Sequence, residues 1–271
     1  MTLKLRFLKS IWKGRELLWQ LTRRDVIGRY RGSQLGLTWS LINPLLMLAV
    51  YTFVFSQVFA TRWNSEDLNG AGQWGFALNL FAGLIVFNVF SECCSRAATS
   101  VSGNPNFVKK VVFPLELIGA SVLGSALFHA LTSLVILLFA RLTITGFLPP
   151  AALLLPIIWM PLALGCLALS WFLAALGVFI RDTAQIMSVL ISVLMFLSPI
   201  FYPLSAVPEG LRWLIGLNPL AITIEQTRMM LIQGTIPSLT TTGWILAISV
   251  LACESSFRLF KSLQPTFADY L

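Results

Sequence analysis

Thirty consecutive residues, 151–180, contain no Asp, Glu, Lys or Arg. As a helix this run would be about 45 Å long, and about 20 apolar residues already cross the hydrocarbon core of a bilayer. Five further apolar runs lie at 35–60, 76–99, 117–142, 184–202 and 239–260. Such a chain does not fold in water. A soluble surface takes about 25% charged residues, whereas this chain has 11% charged and 57% hydrophobic residues, with a mean hydropathy of +0.82. The expected fold is an all-α integral membrane protein, a single transmembrane domain over 1–271 with a six-span bundle in 35–260. Asn43-Pro44 interrupts the first span, and Pro156 and Pro161 bend the outer half of the fourth.

The net charge of +8 is not a nucleic-acid signature. Basic residues crowd at the start of the chain and at loop boundaries, as orientation signals do. Nine of the 19 Lys and Arg lie in residues 1–34. Placing the N-terminus inside puts Arg96, Lys109, Lys110, Arg181, Arg258 and Lys261 on the same side. Only Arg62, Arg141, Arg212 and Arg228 fall outside, so the positive-inside rule gives an N-in/C-in topology. Residues 4–13 form an amphipathic helix, with Leu5, Phe7, Leu8, Ile11 and Trp12 on one arc and Arg6, Lys9 and Lys13 opposite. This reads as a cytoplasmic interface helix within the 1–34 region. A second, less regular basic piece follows at 15–31, with Trp19 and Tyr30 as interfacial aromatics.

The apolar segment 211–224 is too short to cross and is cut by Asn218-Pro219. Its backbone must be buried in protein or line a wet cavity. With Pro199, Pro203 and Pro208 before it, the stretch 203–235 reads as an external re-entrant helical hairpin between the fifth and sixth spans, leaving 261–271 as a cytoplasmic tail.

Chemistry-bearing motifs are sparse. No GxxxxGK[ST] loop, GxSxG or HExxH occurs, so no catalytic residue, metal or nucleotide site is expected in this chain. Intramembrane acids are few: Glu92, Glu116, Glu225 and Glu254, none near a midplane where an ion-coupled carrier needs them. Glu92 and Arg96 form an i,i+4 pair, and His129 is expected to hydrogen-bond a neighbouring helix. Ala120/Gly124 and Ser121/Ser125 allow close helix packing. The four cysteines read as small buried hydrophobes. Energy for transport must come from another protein. The inner loop GNPNFVKKVVFPLEL (103–117), with one turn of helix over 107–112, is a suitable peg for docking it.

The run RRDVIGRYRGSQLGLTWSLINPLLMLAVYTFVFSQVF (23–59) closely resembles the approach to the first span in permeases of ABC polysaccharide exporters. That family includes O-antigen permeases of the Wzm type, capsule permeases and teichoic-acid permeases. NPNFVKKVVFPLE and SPIFYPLSAVPEGLRWLIGLNPLAITIEQTR (198–228) are also similar to it, in order along the chain. The resemblance implies a homodimer in the bacterial inner membrane, joined to a separate pair of P-loop ABC ATPase subunits that hold the ATP and Mg. Two copies, set in membrane lipids, would form a channel between them, and hydrolysis would drive a lipid-linked glycan outward. By position, Arg23, Arg24, Arg29, Tyr30, Arg31 and Gly32 belong to the membrane-interface motif. Asn104, Pro105, Phe107, Lys109, Lys110 and Pro114 belong to the ATPase-coupling loop, and Pro203, Pro208, Asn218, Pro219 and Glu225 to the external hairpin. The alternative is an ABC permease for drugs or lipids; a secondary carrier or a membrane enzyme is disfavoured by the missing carboxylate and histidine clusters.

A long glycan needs many weak contacts along a wet path, and aromatic faces stack on sugar rings without demanding charge. Trp39, Tyr51, Phe87, Phe90, Phe196, Phe201 and Tyr202 are the candidate glycan-path residues. Alanine in place of those on the first or fifth span is expected to lower surface glycan while immunoblots show unchanged membrane abundance. Normal export by every such variant would remove the idea.

Overall fold

The computed structural model describes residues 5–54, 74–109 and 113–271. Arg62, Lys110 and the end of the first expected span lie outside these residues. Among the described residues the chain is helical, without strands. Its α-helices are α1 (Arg6–Lys13), α2 (Arg15–Arg29), α3 (Trp39–Thr52), α4 (Trp74–Ser100), α5 (Pro105–Val108) and α6 (Glu116–Thr145). There follow α7 (Leu155–Phe179), α8 (Thr183–Leu197), α9 (Glu209–Gly216), α10 (Pro219–Arg228), α11 (Leu239–Leu263) and α12 (Phe267–Tyr270).

Among the described residues, four helical stretches are long and apolar enough to cross a membrane: Trp74–Ser100, Glu116–Thr145, Pro150–Phe179 and Leu239–Tyr270. Two shorter apolar helices lie at the other two expected spans: α3, whose expected continuation to residue 60 falls outside the described residues, and α8. Helix α8 stops at Leu197, short of the expected 202, because Ser198 and Pro199 turn the chain out of helix.

Helix α4 is the axis. Packed against α3, α6, α7, α8 and α10, it buries residues around nearly its whole circumference, from Gly75 to Ser100. Two buried tryptophans of α7 fasten its two ends. Trp171 is fully buried, donates from Nε1 to the Glu116 carbonyl at 2.8 Å, and meets Phe7 and Phe257 edge-on. Gly119 makes room, since a Cβ there would lie 3.0 Å from the indole. At the other end Trp159 Nε1 donates to Thr227 of α10 at 3.0 Å. Where α7 crosses α4, Gly177 lies so near the Ala98 carbonyl that any Cβ would collide with it.

The amphipathic arc of α1 is split rather than laid flat on one medium. Phe7 enters the core, while Leu8 and Trp12 point outward. Glu254 of α11 accepts the N–H of Arg6 at 3.0 Å, and Glu116 accepts from Ser10 and Lys261, both at 2.7 Å. These acids sit at apolar-span margins because they hold α1 in place. The 261–271 segment is not a loose tail: Phe267 is buried between Phe179 and Phe260, and α12 lies against α5.

The hairpin stretch consists of two short helices. Asn218 accepts the N–H of Leu220 at 3.0 Å, capping α10, while its amide donates to Ser198 at 3.1 Å. Pro219 supplies the pre-set first helical residue. Helix α10 packs inward on α4 and α7, and α9 keeps Leu211 and Trp213 exposed. Pro203 and Pro208 precede α9, and Glu225 lies within α10, 3.3 Å from Arg228. Arg228, counted above as an outer orientation charge, is fully buried instead. It donates to the carbonyls of Pro199, Ile200 and Asn79 at 2.6, 2.7 and 3.0 Å, satisfying the backbone where α8 has ended. Arg141 is buried as well.

Arg228→Met keeps an apolar stem but removes the guanidinium, which strands the two buried non-helical carbonyls of Pro199 and Ile200. At about 1–3 kcal/mol per stranded group, the thermal midpoint in detergent should fall by roughly 5 °C or more. Gly177→Ala should do comparable damage, while Gly210→Ala, with open space around it, should be neutral. Equal midpoints for all three would refute this account of the packing.

Candidate functional site

Helix α2 does not lie apart from the bundle. It runs beside the first half of α6, from Gly14 against Leu117 to Tyr30 against His129. The small residues of α6 permit this approach: a Cβ on Gly124 would sit 2.7 Å from Thr22 Oγ1. Ser121 donates to Asp25 at 2.8 Å, and Ser125 accepts from Arg96 at 2.9 Å. Gly32, with φ +87°, then turns the chain toward α3 in a conformation that favours glycine.

The polar face of α2 meets the polar face of α4 in a closed network. Glu92 lies 2.9 Å from Arg29 and 3.0 Å from Arg96, and Asp25 lies 3.0 Å from Arg24 and 3.7 Å from Arg96. His129 Nδ1 is 3.0 Å from Glu92 Oε2. Arg29 also approaches that nitrogen at 3.1 Å, but a ring N–H aimed at Glu92 leaves the guanidinium to donate to the carboxylate. Glu92 is thus shared by Arg29, Arg96 and His129, and the i,i+4 pair read from sequence is the centre of a larger assembly. His129 bonds a neighbouring helix as expected, and its Nε2 is buried with no partner among the described residues.

This network borders a cavity of about 860 Å³ between α2, α3, α4 and α6. Beyond the charged groups it is lined by Ser40, Asn43, Tyr51, Asn88 and Ser91. None of these five has a side-chain hydrogen bond to another described residue. They form two stripes: 40, 43, 47 and 51 along α3, and 84, 88, 91 and 95 along α4. The polar members of these stripes recur at helical spacing within apolar segments, a signal present in the sequence and not read there.

The remaining sequence-derived residues scatter. In the membrane-interface motif Arg24, Arg29 and Tyr30 reach the cavity, while Arg23, Arg31 and Gly32 are exposed. In the coupling loop α5 is a single turn that includes Phe107 and Val108, while 110–112 of the expected 107–112 turn lie outside the described residues. Asn104 donates to the Ser100 carbonyl at 2.9 Å, finishing α4, and Pro105 opens α5. Phe107 stacks on Phe113 with centroids 4.4 Å apart and lies under the Arg24 guanidinium, while Lys109 is exposed and Pro114 half-buried. Of the aromatic path candidates, Tyr51 alone lines the cavity. Phe87 and Phe90 are buried in the core, Trp39 is half-buried, and Phe196 stacks on Phe201 with its carbonyl accepting from Tyr202.

Comparison with known proteins gives the same picture along the whole length. The chain is 28% identical over 267 residues to the O-antigen export system permease protein RfbA of Myxococcus xanthus, covering 98% of this chain and 99% of that protein. An O-antigen export system permease protein RfbA of Klebsiella pneumoniae is 29% identical over 263 residues, with 94% and 95% covered. The polysialic acid transport protein KpsM of Escherichia coli is 21% identical over 247 residues, with 89% and 91% covered. Residues 16–232, from α2 through α10, match the ABC-2 type transporter family, and the chain belongs to that family of multi-pass membrane permeases.

Proposed function

We propose that the chain is the membrane subunit of an ATP-driven exporter that moves a lipid-linked polysaccharide of O-antigen type across the bacterial inner membrane. The observation that carries this reading is the likeness to an O-antigen export permease over 98% of this chain and 99% of that protein. The absence of a P-loop motif from the sequence supports a separate ATPase subunit pair holding ATP and Mg. Two copies of the chain enclose the path between them. In this arrangement α3 and α8 complete a six-span bundle with the four long helices. α1, α5 and α12 face the cytoplasm in an N-in/C-in topology, and α9–α10 forms the re-entrant hairpin on the outer side.

The ATPase docks on the loop 104–114. That loop is built to carry force: Phe107 and Phe113 stack on one another, Arg24 covers them from α2, and α12 braces α5 from the opposite end of the chain. Lys109 stays exposed beside this rigid turn, available to an acidic groove on the partner.

Affinity purification of the tagged chain in mild detergent should recover a P-loop ATPase in stable complex. Reversing charge at Lys109 and Lys110 together should reduce its recovery roughly tenfold, the equivalent of about 1.4 kcal/mol, without lowering the amount of permease in the membrane. Uphill glycan movement by the chain alone in vesicles without nucleotide would overturn the proposal.

A further inference from the structure

Asn88 lies 14 residues from the start of α4 and 12 from its end, about 20 Å from each. It is therefore at mid-depth of the longest-buried helix in the bundle. Its amide is exposed and has no hydrogen-bond partner among the described residues. Asn43, facing the same cavity from α3, is in the same condition. Next to it Pro44 has no N–H, so the Ser40 carbonyl loses its normal helical donor four residues on. Hydrocarbon cannot satisfy these groups, and an unpaired amide there costs about 2–7 kcal/mol. Water or a polar ligand must take them.

The existing pairing narrows the ligand. Arg24, Arg29 and Arg96, three cations on two carboxylates, each already sit on Asp25 or Glu92. An anion would compete with those carboxylates for a guanidinium. The lining groups with no side-chain partner of their own are neutral: two amides and the hydroxyls of Ser40, Tyr51 and Ser91. Amides donate and accept at once, which matches a ring bearing several hydroxyl groups. The volume of about 860 Å³ falls in the range of about 300–1,000 Å³ typical of small-ligand sites.

From this we infer that the cavity between α3 and α4 of a single protomer is a carbohydrate subsite that holds uncharged sugar units by hydrogen bonds from Asn43 and Asn88. Tyr51 supplies the stacking face. The site rests on the glycan-export reading above and adds to it a place and a chemistry: neutral sugar recognition inside one subunit, beside arginines that are already paired.

The test uses the full chain with its ATPase in cells whose own copy is deleted. Asn43→Leu/Asn88→Leu, of similar size and without polar atoms, should reduce surface glycan at least about tenfold, the loss expected when about 1.4 kcal/mol of binding disappears, at unchanged membrane abundance and ATPase recovery. Asn43→Ser/Asn88→Ser, which replaces each amide by a hydroxyl able to donate and accept, should export within about threefold of the parent by the same conversion. A second readout is independent of export. The native cysteines are all buried, so Asn88→Cys should be the residue that a water-soluble maleimide labels in cells making no glycan, and glycan synthesis should protect it. Wild-type export by the leucine variant overturns the subsite, as does a cysteine that never labels or is never protected. Export that survives with Asn43→Lys but not with Asn43→Asp would mark an anionic ligand and overturn neutral recognition. If deleting the chain leaves surface glycan unchanged, the export reading itself fails; if deletion abolishes it and the leucine variant does not, only the subsite fails.

Discussion

Hydrocarbon offers no hydrogen bonds, so every charge this chain carries into its bundle must find a partner inside the protein. The Glu92 carboxylate is the point where that requirement is met most heavily. Arg29, Arg96 and His129 converge on it from three helices, and the convergence fixes where α2 lies. Without it a helix as basic as α2 would belong in the headgroup layer. With it, α2 runs inward along α6 and forms one wall of a wet cavity. Exchanging Glu92 for an apolar residue would take the shared carboxylate from Arg29, Arg96 and His129 at once, and removing one side of a buried pair costs more than the pair contributes.

The two ends of the bundle solve the same problem differently. At the α5 end the solution is acidic and aromatic: Glu254 and Glu116 hold α1, and Trp171 fills the space beneath it. At the α9–α10 end a single guanidinium gathers the carbonyls left over where α8 stops. Between them α2 touches the coupling loop through Arg24 and the cavity through Arg29, positions about 7.5 Å apart along one helix. A displacement of the loop therefore meets the cavity wall through one rigid element rather than through a series of loops.

How much of this was legible in the sequence followed from the range of the interactions involved. The four long apolar helices were plain, because hydropathy is a property of one segment. Asn218-Pro219 was legible as a break, and its cap and proline do what their chemistry suggests. The Glu92–Arg96 pair was visible at i,i+4, but Asp25 and Arg29 join it from more than 60 residues away, and no local pattern announces that. Helix α2 looked irregular because its packing face is mixed: Thr22, Asp25 and Arg29 meet its neighbours alongside buried Leu21 and Val26, so a clean apolar stripe was the wrong signal. In α1 the opposite occurred. One apolar arc was evident, but not that Phe7 and Leu8 would serve different surroundings.

Glu254 accepts the first amides of α1 from 248 positions along the chain. A helix made early is thus latched by one made 248 residues later. At about 5–20 residues per second, its first amides wait roughly 10–50 s of translation for that carboxylate. During the interval α6 and α7 can hold the rest of α1 through Glu116 and Trp171, but its opening turn lacks this acceptor until α11 is complete. A ribosome that stalls before α11 therefore leaves a chain whose opening turn is still uncapped.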